Sequence, residues 1–120
     1  MRSYIENELL KHYIWEDSFL LDIVEDNGNI CFVVEAALRT SHPLYHAPYP
    51  GEIHCYREIK LVYKNANIVW EEKNFIPIYD ASNSYDYGNI DQLLYDNNRY
   101  LLSGEWGKVI ITALYAPIIK

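Results

Sequence analysis

The stretch WEDSFLLDIVEDNGNICFVVEAAL, Trp15 to Leu38, decides the fold of this chain. Trp15 to Glu25 has the period of two that is typical of a strand, because the residues from Phe19 to Val24 alternate between two faces. Asn27-Gly28 follows, and both residue types tolerate the positive φ angles of a type I′ turn. Ile30 to Leu38 is apolar and rich in β-branched residues. The sequence therefore predicts two antiparallel strands joined by a two-residue turn.

Two further hairpins are predicted outside this stretch. Ile53 to Tyr63 and Asn67 to Glu72 alternate on either side of Lys64-Asn65, which predicts a second hairpin. Lys108 to Tyr115 and the preceding Tyr100 to Ser103 predict a third hairpin around a Gly-Glu-Trp-Gly turn. The last of these strands is apolar on both faces, so we expect it to be central and covered on both sides.

The ends of the chain and the middle are less regular. Ser3 to Tyr13 predicts a short helix, because Ser3 and Glu6 have the spacing of a capping box; an extended N-terminal arm is the alternative. Asn74 to Asn89 is an irregular polar loop, and Ile90 to Tyr95 fits more than one type of element. With about six or seven strands, residues 1–120 form one mainly β domain, α+β at the margin: an antiparallel sandwich or open barrel with a short N-terminal helix.

Composition excludes several classes of function. The net charge is −7 and the ten Lys and Arg residues are scattered, so we expect no nucleic-acid binding. No apolar run is long enough for a membrane span, and no signal peptide is visible, so we expect a cytoplasmic protein that does not bind membranes. Cys31 and Cys55 are predicted to be reduced thiols in strands, with a cross-strand disulfide as the alternative.

Three of the four histidines fall between His42 and Tyr56, in the segment HPLYHAPYPGEIHCY. A zinc site built from these histidines and Cys55 is one interpretation, but the prolines oppose the helix that would bring His42 and His46 together. His54 and Cys55 are adjacent in a predicted strand and point to opposite faces. Cys55 beside a histidine could also be a nucleophile, but no peptidase signature is present. We predict no metal, no cofactor and no catalytic residue.

Acidic and aromatic side chains are instead concentrated in the two long loops, near residues 42–56 and 80–91. Tyrosine and tryptophan are enriched at protein interfaces, and carboxylates attract basic partners. Among the carboxylates, Asp22 is expected to be exposed, and Glu35 interrupts an apolar strand and could be either exposed or partnered. The predicted binding residues are His42, Tyr45, His46, Tyr49, Glu52, Tyr56, Asp80, Tyr85, Asp86, Tyr87, Asp91 and Trp106.

Several short motifs carry a family resemblance that spans residues 14 to 115. These are His42-Pro43-Leu44-Tyr45, Pro50-Gly51-Glu52, Cys55-Tyr56, the DYGNID motif of residues 86–91, and the LSGEWG motif of residues 102–107. With them the chain resembles a family of small bacterial proteins of unassigned function, so the resemblance implies no activity. In size, acidity and β content the chain is also similar to the immunity proteins of bacterial toxin systems.

The leading interpretation is a non-enzymatic protein-binding domain, which the second resemblance narrows to an immunity protein that neutralises a basic toxin domain. The alternative is a small-molecule-binding or enzymatic domain, with His42, Glu52, His54, Asp86 and Asp91 forming a site where the two loops meet. A homo-oligomer assembled through an exposed strand edge is a third possibility.

Overall fold

The computed structural model describes all 120 residues, and antiparallel strands make up most of it. Two 3₁₀ turns, Tyr4–Glu6 and Leu10–His12, are the only helical elements. The strands are β1 (Arg2–Ser3), β2 (Tyr13–Asp26), β3 (Asn29–Leu38), β4 (Cys55–Tyr63), β5 (Ala66–Lys73), β6 (Ile78–Tyr79), β7 (Tyr85–Asp86), β8 (Ile90–Asp96), β9 (Arg99–Gly104), β10 (Gly107–Ala113) and β11 (Ile118–Ile119). No helix is long and apolar enough to cross a membrane.

The strands form two principal sheets that enclose the core. One sheet has the order β1-β8-β9-β10-β5, the other has the order β11-β4-β3-β2, and β6 and β7 make a separate ribbon. Alternate residues of β3, β4 and β10 are buried along much of each strand, and the largest fully buried side chains are Trp15, Trp106, Tyr63 and Phe32. The predicted mainly β antiparallel sandwich is therefore confirmed.

The hairpin of β2 and β3 forms as the sequence predicts. Asn27 and Gly28 have φ angles of 51° and 79°, the left-handed conformation that a type I′ turn requires. Inward-facing Leu20, Phe32 and Val34 are fully buried. This hairpin supplies part of one wall of the core, together with β4, which pairs with β3 on its other side.

An irregularity in β2 separates Ile14 from Phe19 in the ladder with β3. Within it the buried Ser18 links the two strands: its Oγ donates to the carbonyl of Ile14 (2.7 Å) and accepts from the Ala37 amide (3.0 Å). Such a bulge redirects side chains at the edge of a sheet. Here it directs Glu16 and Asp17 to the surface.

The two sheets are joined at one corner by the backbone of β2 and the segment before β8. The Leu20 amide donates to the Gly88 carbonyl at 2.9 Å, and the Tyr87 amide donates to the Leu20 carbonyl at 2.8 Å. Phe19 and Asn89 form an antiparallel bridge beside these bonds. The sandwich is therefore half closed, and this closure brings the segment 86–89 against β2.

The predicted hairpin of β4 with the following strand is wrong. The turn at Lys64-Asn65 is present, with Asn65 at a φ of 49°, but β5 pairs with β10 in the other sheet. The Ala66 amide donates to the Gly28 carbonyl at 2.8 Å, so the chain passes the tip of the first hairpin as it changes sheets. A short turn is compatible with either course, and the open edge of β10 provides the partner.

The N-terminal helix is also wrong, and only the two 3₁₀ turns form there. Ser3 Oγ accepts the Ile5 amide at 3.4 Å, but the side chain of Asn7 replaces the expected capping box by accepting the amides of Leu9 and Leu10, each at 3.0 Å. This Asn side chain competes with helical hydrogen bonding. Leu10 is thereby fully buried, while Arg2–Ser3 adopts the extended conformation and pairs with β8.

The remaining predictions give a mixed result. The hairpin of β9 and β10 is confirmed, and β10 is central, but Thr112 on its outer face is exposed, so the strand is not covered on both sides.

Cys31 lies opposite Val62 while Cys55 lies opposite Leu38, at the other end of the β3–β4 pair. Both thiols are free, which excludes the alternative disulfide because a bridge needs Cα atoms within about 7 Å.

Candidate functional site

The bulge in β2 presents two carboxylates, and the first is held by the N-terminal segment. Tyr4 Oη donates to Glu16, 2.7 Å from Oε2, and accepts from a terminal nitrogen of Arg39 at 2.8 Å. The same guanidinium lies 3.7 Å from Glu16. Burial, followed by the hydrogen bond to Glu16, raises the pKa of Tyr4 to about 12. Glu16 is thus part of a paired structural network.

The second carboxylate, Asp17, binds a histidine from the end of the long proline loop. His54 Nε2 lies 2.9 Å from Asp17 Oδ2, and the rings of His54 and Tyr56 meet edge to face with centroids 5.9 Å apart. A His–carboxylate pair can serve in catalysis when a nucleophile lies beside it. No serine, threonine or cysteine hydroxyl or thiol forms a hydrogen bond with His54, so the pair acts as a surface ion pair when the ring is protonated.

Two aromatic rings lie on the outer face of the β2–β3–β4 sheet next to this ion pair. The rings of Phe19 and Tyr56 are 6.2 Å apart and tilted. Both are half-buried, and Phe19 lies directly opposite Glu35 in the ladder. Burial, followed by the charges of Asp17 and two glutamates, raises the pKa of Tyr56. The tyrosine therefore remains a neutral hydroxyl among carboxylates.

Glu35 is the centre of a group of carboxylates. Burial raises its pKa first, and the negative charges of Asp86, Glu52 and Glu58 raise it further. Glu58 lies directly opposite it on β4, a like-charge pairing that destabilises a sheet. None of the three ion pairs in the structure includes any of these four groups. Arg57 lines a cavity of about 190 Å³ beside Glu35, Tyr56 and Glu58.

We call this surface the acidic aromatic patch; it comprises Asp17, Phe19, Glu35, Glu52, His54, Tyr56, Glu58 and Asp86. It is formed where the ends of the two long loops meet across β2. A cavity of about 240 Å³ is lined by Ile53, His54 and Tyr56 from the first loop and by Asn89 from the second. The sheet closure at Phe19 and Asn89 is what brings these two segments together.

Other predicted residues of the first loop lie away from the patch. His42 accepts the Leu44 amide at Nδ1 (3.0 Å), and its Nε2 lies 3.1 Å from Tyr13 Oη. Tyr45 is half-buried and packs against the core. The rings of His46 and Tyr49 lie 4.7 Å apart on the exposed part of the loop, and Tyr49 keeps 62% of its surface exposed.

Three predicted acidic residues of the second loop accept hydrogen bonds from neighbouring residues of the loop. Asp80 Oδ1 accepts from the amides of Ser82 and Ser84, at 2.9 and 3.1 Å. Asp86 Oδ1 accepts from Gly88 (2.7 Å), and Asp91 accepts from the Asn89 side chain (2.8 Å).

The aromatic residues of this region divide between surface and core. The ring of Tyr87 stacks on Phe75 with centroids 3.7 Å apart, and Tyr85 is 51% exposed beside Tyr79 and Tyr87. Trp106 is fully buried. Its prediction as a binding residue is wrong, because a side chain without exposed surface cannot contact a partner.

Most of the residues predicted for the small-molecule site, among them His42, Asp86 and Asp91, do not line a cavity. None of the three cavities is lined by His42, Asp86 or Asp91. The four histidines each contact a different group, with His12 Nδ1 2.9 Å from Ser41 Oγ and His46 beside the Ala47 carbonyl. No group of three or more His, Cys, Asp or Glu side chains is placed to hold a metal ion.

The sequence did not predict Asp17, Phe19 or Glu58 as binding residues, named His54 only in the alternative site, and left Glu35 open. One signal was available for Phe19, because WEDS interrupts the alternation just before it and marks the bulge. Nothing in the local sequence indicates that Asp86 lies near Glu35, because that proximity depends on the closure of the two sheets.

No family model, curated protein or solved structure matches this chain.

Proposed function

We propose that this chain is a non-enzymatic protein-binding domain and that the acidic aromatic patch contacts a basic protein. The observation that carries the proposal is the group of four carboxylates around Glu35, which have no ion-pair partner. Burial raises the pKa of Glu35 first, and repulsion from Asp86, Glu52 and Glu58 raises it further, so a lysine or arginine of a partner would relieve that repulsion. A cation placed there would also lie beside the rings of Phe19 and Tyr56, which favours cation–π contact.

The shape of the patch suits a protein partner. The carboxylates and rings lie on the outer face of a sheet and beside shallow cavities of about 190 and 240 Å³, which are smaller than common small-molecule sites. The net charge of −7 would accelerate association with a basic partner through electrostatic steering. We propose further that the partner is a toxin domain and the chain its immunity protein.

The proposal is tested with the variant Glu35→Gln/Glu58→Gln and the matched control Glu71→Gln/Glu72→Gln. The control removes the same two charges from exposed positions on β5, in the other sheet. The proposal predicts a toxin gene immediately upstream, and the basic domain of that toxin is the partner for the assay. Calorimetry and stopped-flow mixing at two salt concentrations give affinity and association rate.

The patch variant should bind at least about tenfold more weakly and show a smaller salt dependence, because each interfacial charge pair adds to both. The control should change the association rate only slightly. Equal losses in the two variants would refute the role of the patch. A metabolic operon upstream, with no toxin gene, would refute the immunity proposal and leave the patch to be tested with other basic partners.

A further inference from the structure

The five-stranded sheet ends at β5, and the outer edge of this strand has no partner in the chain. The outermost strands β1 and β11 are only two residues long. The edge strand of the other sheet, β2, is bonded at Leu20 to the segment before β8 and ends in exposed carboxylates. β5 has eight residues, and its outward backbone amides and carbonyls are free to pair with another strand.

The two halves of β5 differ in how they would meet such a strand. In the C-terminal half Glu71 has no opposite residue in the ladder with β10, which marks a bulge, and Glu71-Glu72-Lys73 is a run of charges. Bulges and charged side chains are the features by which proteins prevent edge pairing. The N-terminal half, Ala66–Trp70, has a regular ladder with β10, no charge and no proline. This half can therefore accept a further strand.

Exposed apolar side chains lie on the N-terminal half of β5 and next to it. Val69 is on the outer face of the sheet and keeps 58% of its surface exposed. Leu114 and Tyr115 are also exposed, and they follow directly after Ala113, the residue of β10 opposite Ala66. An open strand edge with exposed apolar side chains is a site to which a strand of another molecule adds.

We propose that two copies of this chain pair through Ala66–Trp70 and join their five-stranded sheets into one continuous sheet. A twofold axis perpendicular to the sheet makes the two strands antiparallel and places Ile68 opposite its own copy. Asn67 then lies opposite Val69, and the two ends of the segment lie opposite each other. Opposite residues share a face of the sheet in this arrangement, as antiparallel pairing requires.

The register of the pairing is set by the features at the two ends of the segment. Moving the axis towards the C-terminus would bring the bulge at Glu71 into the new ladder. Moving it towards the N-terminus would bring in the turn at Asn65, whose φ is 49°. With the axis at Ile68, Glu72 of each copy would lie beside Lys64 of the other, and both residues are exposed. The symmetric contact therefore gains two attractions between opposite charges.

The dimer is independent of the proposed protein-binding function, because no residue of the acidic aromatic patch lies on β5. The variant Glu35→Gln/Glu58→Gln should therefore dimerise as the unmodified chain does. Failure of the dimer would leave the patch proposal untouched, and failure of partner binding would leave the dimer untouched.

Sedimentation velocity of the full chain tests the proposal at protein concentrations from about 5 to 500 µM, in moderate salt that screens the net charge of −7 on each copy. The paired segment is short, so the interface is smaller than a standard one, and we expect a dissociation constant of about 10–100 µM. Hydrogen exchange of the outward amides in Ala66–Trp70 should slow as the protein concentration rises. A chain that stays monomeric at about 500 µM, or a dimer without concentration-dependent protection in β5, would overturn the proposal.

Two double variants at exposed positions of β5 test the register. In the proposed dimer Asn67→Lys/Val69→Lys sets two pairs of lysines directly opposite each other, and like charges so placed destabilise a sheet. Asn67→Glu/Val69→Lys sets opposite charges at the same positions, so it should dimerise about tenfold more tightly than the first variant. Circular dichroism should show that both variants keep the fold. Equal dissociation constants for the two variants would count against the pairing.

Discussion

Replacement of Ser18 by alanine tests the structural basis of the bulge that displays Asp17. Ser18 is fully buried, and its hydroxyl donates to Ile14 and accepts from the Ala37 amide. Ser18→Ala removes only this oxygen, so the Ala37 amide and the Ile14 carbonyl each lose the hydrogen bond that the hydroxyl supplies.

The Ala37 amide and the Ile14 carbonyl differ in how readily water can replace the lost hydrogen bond. The bond to the Ala37 amide is buried, while the one to the Ile14 carbonyl is part-buried. A fully buried unpaired group costs about 1–3 kcal/mol, and the half-buried carbonyl costs less, so we expect a loss of about 2–3 kcal/mol in the free energy of unfolding. For a chain of 120 residues each kcal/mol lowers Tm by roughly 4 °C, so Tm should fall by about 8–12 °C.

Urea denaturation and a thermal scan measure the loss, with Ser82→Ala as the control. The Ser82 hydroxyl also forms a hydrogen bond, to Asp80, but it is exposed, so the control should lose no more than about 0.5 kcal/mol. Amide spectra should show the largest shifts in β2 from Ile14 to Phe19. A loss below about 0.5 kcal/mol for Ser18→Ala would show that water or a backbone shift replaces the hydroxyl, and the reasoning would be refuted.

Three further predictions concern charge and backbone space. The pKa of Glu35 is raised in the folded protein, so the folded state holds the Glu35 proton more tightly than the unfolded state does, and stability should decline as pH rises above about 4.5. Glu35→Gln should flatten that decline when urea denaturation is repeated across pH. Identical pH profiles for the two proteins would contradict this prediction. Burial and nearby cations lower the pKa of His42, so stability should decline as pH falls below about 6.5. His42→Asn should remove this pH dependence, because asparagine does not titrate but keeps an acceptor for the Leu44 amide. A Cβ on Gly104 would collide with the Asn89 carbonyl and the Trp106 ring. At Gly28 a Cβ would meet open space, and only the φ of 79° opposes it. Gly104→Ala should therefore lower Tm much more than Gly28→Ala, whose cost is about 1 kcal/mol.

The first hairpin could be predicted because its information is local. Alternation from Phe19 onwards, the Asn27-Gly28 turn and the β-branched run after it all favour the same structure, and their agreement needs no distant partner. The N-terminal helix failed for a local reason as well, because the side chain of Asn7 occupies the amides that a helix would use.

The errors in strand pairing and exposure have a different origin. Alternation in β5 predicts a strand but contains no information on whether its partner is β4 or β10. Trp106 lies in a Gly-Glu-Trp-Gly turn, which predicts an exposed tip, yet the absence of a side chain on Gly104 leaves room for the indole to enter the core.

By itself the sequence determined that the chain is mainly β, where its principal strands lie, and that its surface is acidic. These properties depend on residue types and short-range periodicity. Only the tertiary structure decided that Asp86 and Glu52 lie close enough to Glu35 to raise its pKa, and that Arg39 contacts Tyr4 and Glu16. Both features arise from contacts between residues far apart in the chain, and such contacts are set by how the sheets close rather than by any local pattern.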